Sequence, residues 1–272
     1  SSGSFEKSVK GATKIKVSYC ARTVSPMEST DLVLAEQLAA PKSKYIEHIL
    51  IATHGGEAGV AEIFRTLQHR LRDSTWTIVF KALIVVHLMI REGQLDATLS
   101  YLAEYPKKLA KAVFPMVSPK GFNIGAVGSS KLRFFTAVIL TELISADPGA
   151  EYPEVPEYLT ARAKAYAETK TDYVRSGPGR LKKLTVEKGL LREVEIVQKQ
   201  IRALHVATWV DSAVVLDAFW QHGPQLLTDE VENEITLTAF RLLTLDLLTL
   251  YSVMNEGTIN VLGRYAIILF VS

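Results

Sequence analysis

The sequence predicts an all-α protein, built as a superhelical stack (a solenoid) of antiparallel helices. Apolar residues recur at helical spacing through most of the chain, and no run alternates apolar and polar residues as a half-buried strand would. No strict repeat period is present, so an array of identical units is not predicted. The 272 residues, 48% hydrophobic and 22% charged, are enough to bury a substantial core.

Helical stripes account for most of the elements. Asp73 or Ser74 is expected to cap the helix that follows Leu71. Further stripes surround Leu99, Leu159 and Leu190. The clearest stripe is formed by Val60, Ile63, Phe64, Leu67 and Leu71.

Two long apolar runs, Ala82–Ile90 and Leu237–Val253, are predicted to be buried core helices. The first is far shorter than a membrane span, and the second carries Arg241 and Asp246. His87 lies within the first run, so we interpret it as a core histidine with a hydrogen-bond partner rather than as a metal ligand.

The composition narrows the classes of function. A net charge of +2 is too small to indicate a nucleic-acid partner, so any anion site must depend on local clustering. The single cysteine, Cys20, excludes a disulfide framework and fits a reducing compartment. The polar, basic start of the chain predicts no signal peptide.

No residue pattern supports catalysis. The sequence lacks G-x-S-x-G, H-E-x-x-H and C-x-x-C, and its six histidines have no motif spacing. The glycine-rich HGGEAG, residues 54–59, follows a predicted helix and lacks G-K-[ST], which favours a turn over a phosphate loop. We therefore predict no enzyme, no cofactor and no metal site.

The stretch AAPKSKYIEHIL, residues 39–50, is the strongest candidate for a binding site. Pro41 suits the first turn of a helix, and Lys42 and Lys44 add two charges beside the positive end of the helix dipole. Tyr45 adds a hydroxyl. Backbone amides and lysines at such a place suit a polyphosphate head group, although solvated lysines are the simpler alternative.

Four lysines upstream could widen this basic patch. Lysines close to an anionic membrane contribute on the order of 1 kcal/mol each. They are Lys7, Lys10, Lys14 and Lys16.

Six sequence blocks, in order, cover roughly two-thirds of the chain. They are SFEKSVKGATKIK, APKSKYIEHILIAT, STWTIVFKALIVVHLMIREG, ARAKAYAETKTDYVR, LTVEKGLLREVEIVQKQI and ENEITLTAFRLLTLDLLTLYSVMNEGTINVL. Together they resemble the ANTH domain of the clathrin-assembly phosphoprotein family, in particular its fungal members.

The resemblance implies a cytoplasmic adaptor module that binds phosphatidylinositol 4,5-bisphosphate on the inner leaflet of the plasma membrane, at clathrin-coated pits. Clathrin coat components are implied as partners, mainly through a flexible tail outside this chain. Vesicle SNARE helices are a further implied partner of the later helices. The resemblance implies neither an enzymatic activity nor a nucleic-acid partner.

The family's lipid signature is a lysine, nine residues, then Lys-x-Lys followed by His or Tyr. Lys42, Lys44 and Tyr45 match its second part, but Leu32 occupies the position of the first lysine. Removing the 22 residues 17–38 would place Lys10 ten positions before Lys42 and restore the signature. The expected head-group site is therefore Lys10, Lys42, Lys44 and Tyr45, with Lys7, Lys14 and Lys16 as an auxiliary patch.

Residues 1–263 are expected to form one domain, interrupted by insert-like segments at 17–38, 125–157 and 205–225 and followed by an atypical tail, 264–272. The segments are either translated introns or lineage-specific loops. If 17–38 is a loop, Lys10 reaches the site only where the insert loops out, and the entropy of closing a loop rises slowly with length.

Two alternatives stay open. One is a helical protein-interaction scaffold without lipid dependence, in which the lysines are only solvated. The other is an ENTH-type module that inserts an amphipathic helix into the bilayer. The N-terminal segment has few apolar residues, mainly Phe5, Val9 and Ile15, which favours docking on the surface over insertion.

Overall fold

A computed structural model of the chain describes residues 2–21, 32–37, 39–73, 75–105, 158–204 and 234–271. The insert-like segments 125–157 and 205–225 lie outside these ranges.

The described chain is a stack of helices with one small hairpin, so the all-α prediction is confirmed. The elements are α1 (Ser2–Ala12), β1 (Lys16–Ala21), β2 (Leu32–Gln37), α2 (Ser43–Thr53), α3 (Gly56–Leu71), α4 (Trp76–Glu92), α5 (Ala97–Glu104), α6 (Tyr158–Thr169), α7 (Tyr173–Ser176), α8 (Arg180–Lys183), α9 (190–204) and α10 (Glu234–Val271).

Consecutive helices pack on one another through the stripes that the sequence predicts. Helices α1 to α5 each contact their neighbours, α5 packs on α6, and α10 lies against α4, α7 and α8. The whole stripe of α3 is fully buried. Burying a Leu, Ile or Phe side chain contributes about 1.5–3 kcal/mol, so this stripe is a main source of stability.

The turn before α4 differs from the expectation. Thr75 is the N-cap residue, not Asp73 or Ser74. The Oδ1 atom of Asp73 accepts a hydrogen bond from the Thr75 amide at 2.9 Å, so this carboxylate closes a turn ahead of the helix instead of capping it.

The turn predicted for HGGEAG is confined to His54 and Gly55, and the other four residues of the motif begin α3. Gly59 allows the two helices to meet closely, because a Cβ atom there would lie 1.9 Å from the carbonyl oxygen of Ala52. This glycine therefore serves helix packing.

The hairpin is an element that the sequence did not predict. Strands β1 and β2 pair antiparallel, with Lys16 opposite Gln37 and Ala21 opposite Leu32. Strand preference depends on the cross-strand partner more than on local sequence, which explains why the pattern gave no signal. The pairing thus brings residue 37 back beside residue 16.

A buried carboxylate joins three helices. Asp246 of α10 is fully buried and accepts hydrogen bonds from His87 Nε2 of α4, and from Tyr158 Oη and Arg162 Nη1 of α6, each at 2.7 Å. Arg91 Nη1 of α4 bonds to its second oxygen. The prediction that His87 is a core residue with a partner is confirmed.

Arg162 extends this network to α7. Its Nε and Nη2 atoms donate to the two carboxylate oxygens of Asp172 at 3.1 and 2.8 Å, and Asp172 also accepts from the Val174 amide as the N-cap of α7. Two carboxylates thus face two guanidinium groups. Burial disfavours the charged form of Asp246, yet His87, Arg162 and Tyr158 together hold its pKa well below the ordinary value.

Helix α10 has 38 residues, and its part Leu237–Ala266 is long and apolar enough, by length and composition, to cross a membrane. Leu243 and Leu250 are buried in the core, and the ion pairs of Asp246 join the helix to α4 and α6. These contacts bury one side of the helix, whereas other large apolar side chains of the run, such as Leu248 at 63%, are exposed. The predicted core helix is therefore buried on one side only. The helix continues through Val271, into the region expected to be an atypical tail.

We predict that Asp246→Asn lowers the free energy of unfolding by about 3–5 kcal/mol, because it leaves buried Arg162 with one uncompensated side. Urea denaturation followed by circular dichroism measures this change. Glu195→Gln is the matched control, since it removes an exposed ion pair with Lys199, and it should leave stability unchanged within error. Equal changes in the free energy of unfolding for the two substitutions would show that the buried network stabilises the protein no more than an exposed ion pair does.

The lowered pKa of Asp246 also predicts a pH dependence. Its contribution is complete above the unfolded pKa of about 3.9 and is lost as the pH falls towards the folded value, because the unfolded state then binds more protons. The stability difference between the unsubstituted chain and Asp246→Asn should therefore shrink below about pH 4. Urea titrations between roughly pH 2.5 and 6 would test this, and a constant difference would contradict it.

Candidate anion-binding site

Helices α1 and α2 pack antiparallel through small and aromatic residues. The ring of Tyr45 lies against Gly11, at the end of α1 and the beginning of α2. Further along, Ser8 Oγ lies 2.6 Å from His48 Nδ1, and the rings of Phe5 and His48 are 4.9 Å apart. The C-terminal end of α1 therefore lies beside the N-terminal end of α2.

The hairpin keeps the two ends of residues 17–38 close together. Lys16 and Gln37 are opposite one another in the sheet, so the chain returns within one strand spacing of where it left. Lys10 is the neighbour of Gly11 in α1, and Gly11 touches Tyr45. The structure thus brings Lys10 close to the start of α2, although 31 residues separate it from Lys42 in sequence.

The start of α2 presents backbone donors outward. Lys42 is the N-cap residue, with extended backbone angles, and it has no side-chain oxygen that could cap the helix. The carbonyl oxygen of Lys42 accepts from the amides of Tyr45 and Ile46 at 3.0 and 3.3 Å. The amides of Ser43 and Lys44 precede the first intrahelical bond, so they add to the positive end of the helix dipole.

Two features of this turn were not expected from the sequence. Pro41 lies one position before the N-cap rather than in the first turn. Lys44 Nζ lies 4.9 Å from the centroid of the Tyr45 ring, a cation–π contact that holds the ammonium group beside the aromatic ring. Lys42 and Lys44 are both exposed.

Lys10 is paired within its own helix. Its Nζ atom lies 2.5 Å from Glu6 Oε1, one turn earlier, and both side chains are half exposed. The hydrogen bond and charge of Lys10 lower the pKa of the Glu6 carboxyl. Sequence reasoning did not consider Glu6, although the i, i+4 spacing of Glu and Lys on a helix would have indicated the pair.

The auxiliary lysines are only partly placed. Lys7 and Lys14 are exposed, and the side chain of Lys16 lies outside what the structure describes. The carbonyl oxygen of Lys14 accepts a hydrogen bond at 3.0 Å from Nζ of Lys81, a buried residue of α4. This bond holds the backbone just beyond α1.

A second carboxylate approaches the site from α10. Glu234 Oε2 accepts a hydrogen bond at 3.3 Å from the backbone amide of Ala40. The two residues are 194 positions apart, so no local pattern could have indicated this contact. It ties the segment that leads into α2 to the first turn of the longest helix.

The apolar residues of α1 are committed to packing. Val9 and Ala12 are buried in the core, and Phe5 packs against it. Little apolar surface is therefore left on α1 for insertion into a bilayer.

Within the described ranges, no group of three or more His, Cys, Asp or Glu residues could hold a metal ion.

Fold and site together define a stacked-helix domain with a basic site where its first two helices meet. Residues 34–112 match the ANTH domain family. The chain is 31% identical to an ENTH domain-containing protein of Schizosaccharomyces pombe over 96% of its own length and 30% of that protein's.

It is also 31% identical to the clathrin coat assembly protein AP180A of Saccharomyces cerevisiae, over 96% of the chain and 33% of that protein. The human phosphatidylinositol-binding clathrin assembly protein is 24% identical over 84% of the chain and 29% of its own length. The chain thus spans about a third of the length of these relatives. It belongs to the ANTH domain family, and it is more similar to the yeast proteins than to the human one.

Proposed function

We propose that the chain is the membrane-docking module of a clathrin adaptor, and that it binds phosphatidylinositol 4,5-bisphosphate through Lys10, Lys42, Lys44 and Tyr45. The observation that supports this proposal is the contact of Gly11 with Tyr45, because Lys10 is the neighbour of Gly11 and Lys44 is the neighbour of Tyr45. The names of two relatives also mention clathrin coat assembly and phosphatidylinositol binding.

Binding at this site is electrostatic and superficial. The head-group phosphates accept hydrogen bonds from the first amides of α2 and pair with the lysine ammonium groups. Each lysine contributes on the order of 1 kcal/mol near an anionic surface. The exposed lysines are screened by salt, so affinity falls as ionic strength rises.

Docking takes place on the bilayer surface rather than by insertion of a wedge. The burial of Val9 and the packing of Phe5 support this choice, because moving them into lipid would empty the α1–α2 interface. Lys7, Lys14 and Lys16 lie on or just after α1 and form the auxiliary basic patch.

The module acts in endocytosis on the cytoplasmic face of the plasma membrane, at clathrin-coated pits. Binding requires no catalytic group. Clathrin coat components are partners of the longer protein, and vesicle SNARE helices are a further partner of its later helices.

Reversing the charge of the site should abolish binding. We expect the chain to co-sediment with liposomes that contain phosphatidylinositol 4,5-bisphosphate and the variant Lys42→Glu/Lys44→Glu to remain in the supernatant, because two attractive charges become repulsive. Lys182→Glu/Lys183→Glu is a matched control on α8, outside the α1–α2 junction. Circular dichroism must show that every version is folded.

The same experiment decides between the proposal and its alternative. If the folded chain sediments equally with liposomes that contain the lipid and with liposomes that lack it, or binds neither kind, the membrane-adaptor function is wrong. The helical protein-interaction scaffold would then be the better account.

The geometry of the hairpin gives a second test. Because Lys16 and Gln37 already lie together, removing residues 17–38 should leave binding to these liposomes unchanged within about twofold. Lys10→Glu should weaken binding in both lengths of the chain. Loss of binding only in the shortened chain would show that the insert itself contacts the membrane.

A further inference from the structure

Gly11 occupies a place where a side chain cannot fit beside the ring of Tyr45. A Cβ atom built on Gly11 would lie 2.6 Å from Cζ, 2.7 Å from Cε1 and 2.8 Å from Cε2 of that ring. Glycine is among the poorest helix formers, yet it stands in the last turn of α1. Its cost to the helix is offset by the close approach that it permits.

The ring that rests on Gly11 also holds a lysine. Lys44 Nζ lies 4.9 Å from the ring centroid, so the phenol ring joins the backbone of α1 to the ammonium group of Lys44. Lys10 directly precedes Gly11 in α1. A shift of the ring would therefore move Lys44 relative to the part of the α1 backbone that carries Lys10.

We infer that Gly11 is a positioning residue of the anion site: its missing side chain seats Tyr45 and so holds the lysines at the spacing that a bisphosphate head group requires. The inference rests on the proposed function. Gly11 itself contacts no ligand, and it acts only through the place of the ring.

The atoms that would clash belong to the far half of the phenol ring. A leucine side chain ends at its Cδ atoms and has nothing at the Cε and Cζ positions. A methyl group at position 11 should therefore be compatible with Leu at 45, but not with Tyr or Phe.

The experiment measures binding to liposomes of phosphatidylcholine with and without phosphatidylinositol 4,5-bisphosphate, together with thermal unfolding. Gly11→Ala should bind about fivefold more weakly, the equivalent of one displaced lysine. Its thermal stability should stay level or rise, because Ala favours the helix and the far end of the ring can swing aside. Gly3→Ala is the matched control in the same helix, since no atom lies within 4 Å of a Cβ there.

Second-site variants make the test specific. Gly11→Ala in a Tyr45→Leu background should bind within about twofold of Tyr45→Leu alone, whereas in a Tyr45→Phe background the roughly fivefold loss should persist. This pattern would not follow from a general weakening of α1.

Each other outcome counts against the inference. If Gly11→Ala binds as tightly as the unsubstituted chain, or if it weakens binding about fivefold in the Tyr45→Leu background as well, Gly11 is not a positioning residue, while the proposed function stands. If Gly11→Ala fails to fold, an equal loss in the Tyr45→Leu background overturns the inference. If the unsubstituted chain ignores the bisphosphate lipid, the proposed function fails first and the inference fails with it.

Discussion

The buried ion network of Asp246 is the interaction on which the rest of the structure depends. A single carboxylate, wholly removed from water, is held by groups from α4 and α6, and Arg162 passes the contact on to Asp172 and α7. An ionised group is tolerated at such depth only with several partners. The network therefore requires α4, α6, α7 and α10 to be correctly placed at the same time.

The network acts on the candidate site through the rigidity of α10. Glu234 begins this helix and lies 12 residues before Asp246, about 18 Å along a straight helix. It holds the amide of Ala40 ahead of α2, while Lys81 of α4 holds the carbonyl of Lys14 behind α1. Both segments that carry the candidate lysines are thus attached to helices that Asp246 joins.

The sequence was informative where structure depends on neighbours along the chain. The stripe of α3 and the core role of His87 follow from the 3.6-residue period of a helix. The partners of Asp246 and the Glu234–Ala40 bond could not be predicted, because each joins residues more than 80 positions apart. The hairpin was missed because pairing, not local pattern, makes it a strand pair.

The candidate site depends on both kinds of information. Counting residues suggested Lys10 as the first lysine of the signature, on the condition that the two ends of residues 17–38 lie together. The pairing of Lys16 with Gln37 meets that condition. What no counting could supply is the contact between Gly11 and Tyr45. A surface site of flexible lysines needs some rigid element to hold its charges together, and here an aromatic ring against bare backbone provides one.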